Sequence, residues 1–277
     1  MLVIFLPPRA TIASRAYYPI SLLPPRRRML TLVIWWINAL MEAALLCRAL
    51  PGRFLSQFPV FFGYILFVLS TSILRKCVMR WMSVYSVVYW STEFLALILG
   101  SYVVFEVYRL ALRTYPGTAK MARNVLLFLF ALALARAINV FLSDPYILQY
   151  ATGIQIERAL RTFQAIAILS LITLLLSYSI PLGRNLHGIL KGYSLFVGAR
   201  VLCLEFVGET GKGFWFYAYS ASYIAALGIW LVYLWSPVPI PEQPSSARLV
   251  RDYNLIAAKT HQRLLQARLY LRRVAGS

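Results

Sequence analysis

Apolar residues gather in seven long runs, at about 30–50, 59–74, 84–108, 124–143, 159–180, 189–207 and 214–235. Most are close to the twenty or so residues that cross a hydrocarbon core of about 30 Å as a helix. Strict in-out alternation over about ten residues, the pattern of a membrane barrel, does not occur, so each run has to close its backbone hydrogen bonds internally. The breaks between runs carry turn chemistry: Pro51-Gly52, Asp144-Pro145, Pro181-Leu182-Gly183 and the glycine loop 208–213. The pattern predicts an all-α polytopic transmembrane bundle of about seven helices. The third run is long enough to tilt. Trp215 and Trp235 lie twenty positions apart, roughly 30 Å of helix, as aromatic anchors at both faces would.

Two flanks differ from this core. Residues 1–28 combine Pro7-Pro8, Pro19 and Pro24-Pro25 with five arginines. They read as an extension, with Met29 expected to be the true initiator. Residues 237–277 open on Pro237-Val238-Pro239-Ile240-Pro241, which cannot continue a helix. A basic amphipathic helix is predicted after it, with Val250, Tyr253, Ala257, Leu264, Ala267 and Leu271 near one stripe and arginines around the rest. That composition suits a cytoplasmic helix on an anionic leaflet, with a short coiled coil as the competing reading. The domain reading is therefore 1–28, 29–236 and 237–277.

Composition supports immersion in lipid. The chain is 60% hydrophobic over 277 residues, against roughly 45–50% in soluble domains. The net charge of +19 does not point to nucleic acid, because the basic residues flank apolar runs instead of forming a patch on a soluble domain. They are unevenly divided. One side carries Arg48, Arg53, the loop from Arg109 to Arg123, Arg184, Lys191 and the basic C-terminus; the other, from Met29 on, carries Arg75, Lys76, Arg80, Arg158, Arg161 and Lys212. The positive-inside rule then places the N-terminus outside and the C-terminus in the cytoplasm. Counting residues 1–28 would nearly erase this bias. Cys47, Cys77 and Cys203 have no CxxC spacing and read as small packing residues.

Charges within the runs are the candidate chemistry, since each costs at least ~2.5–3.5 kcal/mol to insert. They are Glu42, Glu93, Arg136, Arg200 and Glu205. Measured from the basic flank at 1.5 Å per residue, Glu93, Arg136 and Glu205 lie roughly 24, 20 and 21 Å deep. Glu42 and Arg200 form a shallower pair. The expected network has Arg136 bridging Glu93 and Glu205, and Arg200 pairing with Glu42. Helix registration, a ligand or ion cavity, and a proton relay are all open roles for it. Gly63, Gly100, Gly192 and Gly198 read as close helix contacts.

HExxH, G-x-S-x-G and Walker A motifs are absent, and the last run lacks the lysine a retinal Schiff base needs. His187 and His261 are not mid-run, so no haem pair is expected. The reading is no enzyme and no cofactor. Residues 35–42 (WWINALME), 89–94 (YWSTEF) and 185–193 (NLHGILKGY) resemble uncharacterised bacterial seven-span inner-membrane proteins. That likeness covers about 29–235 and implies an inner-membrane location without an activity. The architecture is also similar to the seven-helix sensor modules fused to bacterial signalling proteins, although no kinase or cyclase domain follows here. The expectation is a receptor-like bundle contacting lipid, anionic headgroups and an unknown membrane or cytoplasmic protein partner. A small transporter or channel, or a ligand-free scaffold, is the alternative.

Overall fold

The computed structural model describes residues 25–50, 54–143, 150–178, 180, 182–206 and 212–236, with positions 251, 254, 255, 258 and 262. Among these are eight helices and no strand: α1 (Pro25–Ala49), α2 (Phe54–Gln57), α3 (Pro59–Val78), α4 (Met82–Ala111), α5 (Pro116–Ser143), α6 (Tyr150–Ser177), α7 (Arg184–Phe206) and α8 (Lys212–Tyr233). The stretches Met29–Ala49, Pro59–Val78, Val84–Ala111, Pro116–Val140 and Gly153–Ser177 are long and apolar enough to cross a membrane. The expected N-terminal extension up to residue 24 and almost all of the C-terminal helix lie outside the described residues.

Seven helices match the seven apolar runs, but α5 and α6 start well before their runs. Pro116 sits at the first position of α5, where its missing N–H costs nothing. Tyr150 opens α6 nine residues ahead of the apolar stretch. Hydropathy marks only the apolar part of such helices. The short α2 was not expected. It holds Phe54, and Phe58 just beyond it, fully buried against Phe62 beneath the start of α3.

The helices alternate in direction. Arg48 at the end of α1 donates from Nε to the Trp235 carbonyl just past α8 at 2.8 Å. His187 at the start of α7 stacks on Tyr233 at the end of α8. Six helices close a ring, in the order α1, α3, α4, α6, α7, α8, and α5 packs outside it in the groove between α4 and α6. The outer surface is apolar: Leu40, Leu66, Phe128, Leu132, Leu169, Leu176, Leu202 and Val232 are each more than half exposed. Soluble proteins do not sustain apolar patches of that extent. This is the surface of an integral membrane protein.

Glycine lets α7 approach α8 closely. At Gly192 an added Cβ would meet the Trp230 indole, with Cδ1 at 2.8 Å and Cε2 at 2.9 Å. One turn earlier, Gly188 admits the Tyr233 side chain. This four-residue glycine spacing brings α7 onto α8, as small-residue stripes do where lipid offers no hydrophobic drive. Gly63 and Gly198, expected to act alike, face open space, with nothing within 4 Å of an added Cβ.

Candidate functional site

The ring interior holds a cluster of charges at the end where α3 and α7 finish and α4, α6 and α8 begin. α6 supplies Glu157, Arg161 and Gln164, spaced i, i+4 and i+7, so all three point to one face. Each is at most 3% exposed. α7 supplies Arg200, whose Nε and Nη2 donate to the two Glu157 oxygens at 2.5 and 2.6 Å. This is the forked guanidinium–carboxylate geometry that makes the strongest charge-assisted pairs. The guanidinium lies 4.4 Å from the Tyr219 ring centroid of α8.

Arg161 is held less completely. Its Nη1 donates to Gln164 Oε1 at 3.1 Å, and its Cζ lies 4.8 Å from the Phe196 ring centroid. Its Nε sits 3.9 Å from Glu157 Oε1, beyond hydrogen-bond range. The Gln164 amide nitrogen donates to the Leu97 carbonyl and to Ser101 Oγ of α4, at 2.9 and 3.2 Å. The Tyr193 hydroxyl and the Gln164 amide nitrogen crowd the same point beside Gly100. Only a residue without Cβ leaves room there.

On the α3–α4 side, Arg75 folds back over the hairpin. Its Nη2 donates to Glu93 Oε2 at 3.3 Å and to Thr92 Oγ1 at 2.6 Å, and its Cζ lies 4.6 Å from the Tyr89 ring centroid. On the α1–α8 side, the Tyr223 hydroxyl donates to Glu42 Oε1 at 2.6 Å. Glu42 shares the inner face of α1 with Thr31, Asn38, Leu45 and Ala49, all buried.

Several buried polar atoms have no hydrogen-bond partner among the described residues: Arg161 Nε, Glu93 Oε1, the Tyr193 hydroxyl, Glu42 Oε2 and Asn38 Oδ1. Native interiors leave few such atoms, and each stands for ordered water, an ion, a ligand or a functional role.

The expected pairings are corrected by this geometry. Glu93 meets Arg75, and Arg200 meets Glu157 instead of Glu42. Arg136 bridges nothing: it is exposed on α5, outside the ring, and no described carboxylate lies in ion-pair range of it. An arginine there can extend its stem along the helix toward the headgroups. Glu205 pairs with Arg158 at 3.3 Å, with both side chains about half exposed (49% and 47%). Arg75 and Arg161 were expected among the basic residues of the flank, and Glu157 falls in the connection before the 159–180 run. The i, i+4, i+7 spacing of Glu157, Arg161 and Gln164 was the available signal.

Two further polar groups hold the opposite end. Glu106 of α4 accepts from the Val60 and Phe61 amides of α3 at 3.0 and 2.8 Å, satisfying amides that the first turn of a helix leaves open. The Tyr108 hydroxyl lies 2.8 Å from the Ala167 carbonyl and 2.6 Å from Ser170 Oγ. No family model matches the chain, and neither the curated proteins nor the solved structures contain a match to it.

Proposed function

We propose that the chain is a receptor-like inner-membrane bundle that binds a small polar ligand within its helix ring. All seven long helices cross the bilayer in this reading, with the N-terminus outside and the C-terminus in the cytoplasm. The observation that carries it is the set of unpartnered buried atoms on converging helices: Arg161 Nε on α6, Glu93 Oε1 on α4 and the Tyr193 hydroxyl on α7. A buried donor or acceptor left alone costs roughly 1–3 kcal/mol, more when charged. A ligand that accepts from Arg161 and the Tyr193 hydroxyl would remove much of that cost, and its binding would stabilise the bundle by mass action.

The orientation rests on the basic residues counted from Met29 on. Arg161 is buried and Arg75 nearly so, so neither belongs to the flank. Lys76, Arg80, Arg158 and Lys212 remain on that end from Met29 on, and Arg26, Arg27 and Arg28 at the start of α1 lie there as well. The cluster then lies in the outward half, at the end a solute would reach first. The basic tail would contact anionic lipid or a cytoplasmic partner, and the ring carries no catalytic assignment.

The test is thermal unfolding of the purified protein in lipid nanodiscs against a panel of charged and uncharged small solutes. The expected result is a saturable rise in midpoint for some solutes, reduced in Tyr193→Phe. A ligand-free scaffold would respond to none of the solutes. Solute uptake into proteoliposomes would instead favour the transporter alternative.

A further inference from the structure

We infer that the ligand carries a single negative charge, which docks on Arg161 with the Tyr193 hydroxyl as a second donor; this rests on the ligand-binding reading above. Charge balance is the first ground. The cluster holds three guanidiniums, Arg75, Arg161 and Arg200, against two carboxylates, Glu93 and Glu157. Both Glu157 oxygens are taken by Arg200 at 2.5 and 2.6 Å. Arg161 reaches one of those oxygens only at 3.9 Å. One buried guanidinium is therefore in excess, and an unpaired ion is costly in a low-dielectric interior. Glu42 does not neutralise it, because that carboxylate is held by Tyr223 and has no described cation in ion-pair range.

Geometry is the second ground. Arg161 Nε and the Tyr193 hydroxyl are both buried and unpartnered, and Gln164 lies between them, bonded to Arg161 and sharing the space beside Gly100 with the hydroxyl. A monoanion cancels the excess charge. A dianion overshoots it, and a cation doubles it. A halide and a small carboxylate share this chemistry.

The experiment uses the full chain in nanodiscs, in sulfate buffer at constant ionic strength, titrated with sodium chloride or sodium acetate. A saturable rise in unfolding midpoint with either anion supports the inference; chloride alone indicates a halide site and acetate alone a carboxylate site. Arg161→Gln should abolish the response, and Arg158→Gln, in the exposed pair, should retain it. Tyr193→Phe loses only an unpartnered hydroxyl, so it should fold well and bind the anion about 3–10-fold more weakly. Where Arg161→Gln does not fold, Tyr193→Phe decides, and unchanged affinity there overturns the inference. A response that survives in folded Arg161→Gln overturns it too. If neutral or zwitterionic solutes stabilise the protein and no monoanion does, the anion fails while the ligand-binding reading stands. If nothing shifts the midpoint, both fail.

Discussion

Glu157→Gln is the most informative perturbation of the bundle. The carboxylate joins α6 to α7 through two short bonds from Arg200, at 2.5 and 2.6 Å, and lies 3.9 Å from Arg161. Glutamine keeps the volume and one acceptor oxygen but turns the other position into a donor facing Nη2 of Arg200. Two guanidiniums then remain in the ring without a counter-charge. Charge-assisted hydrogen bonds contribute about 1.5–3 kcal/mol each, and breaking a buried pair from one side typically costs 3–5 kcal/mol. A loss of about 3–5 kcal/mol is expected for Glu157→Gln. Arg200→Gln alone should cost less, because Arg161 is then free to take the vacated carboxylate. The double variant should lose clearly less than the sum of the two, since each half of the broken pair accounts for much of the other's penalty. Reversible unfolding in mixed micelles, monitored by tryptophan fluorescence, measures all three. Additive losses, or a Glu157→Gln cost below about 1 kcal/mol, would show that the pair is solvated and that the ring interior is not the low-dielectric site described.

Other substitutions discriminate further. Glu205→Gln removes the partner of Arg158 in a half-exposed pair, so the same assay should register less than about 1 kcal/mol. Gly192→Ala drives a methyl into the Trp230 indole, whose ring is fully buried; overpacking of this kind costs about 1–3 kcal/mol, read as a lowered unfolding midpoint, and Gly198→Ala should leave the midpoint unchanged. Glu106→Ala strips two amides at the start of α3 of their acceptor, with a cost of about 1–3 kcal/mol expected and faster hydrogen exchange at Val60 and Phe61. Arg136→Gln, on the outer face of α5, should alter folding stability by no more than about 0.5 kcal/mol.

The helices were legible because lipid imposes length and apolarity on each run independently of its neighbours. Glu42, Glu93 and Arg200 were legible for the same reason, as polar groups at depths where solvation is lost. Partner choice was not. It depends on which helices adjoin, and a periodic apolar run does not encode that α5 rides outside the ring while α1 lies beside α3 and α8. Arg136 was misread on this account: its depth along α5 says nothing of the direction it faces. Arg75 was misread for a different reason. It lies at the end of a run, yet its long stem lets the guanidinium reach Glu93, eighteen residues away across the α3–α4 hairpin. Glu157 and Arg161 show a third limit: at the edge of an apolar run, hydropathy does not tell a flanking charge from one whose neighbours supply a buried counter-charge.

The ring interior itself offers the most direct test. An experimental density map of the protein in lipid, at a resolution that shows ordered water, would reveal whether a ligand or water reaches Arg161 Nε, Glu93 Oε1 and the Tyr193 hydroxyl. The expected result is bound density within hydrogen-bond distance of Arg161 and Tyr193, with Arg200 still forked onto Glu157. A dry interior, with Arg161 turned out of the ring or bonded directly to a carboxylate, would contradict a ligand site and leave the cluster as a clamp between helices.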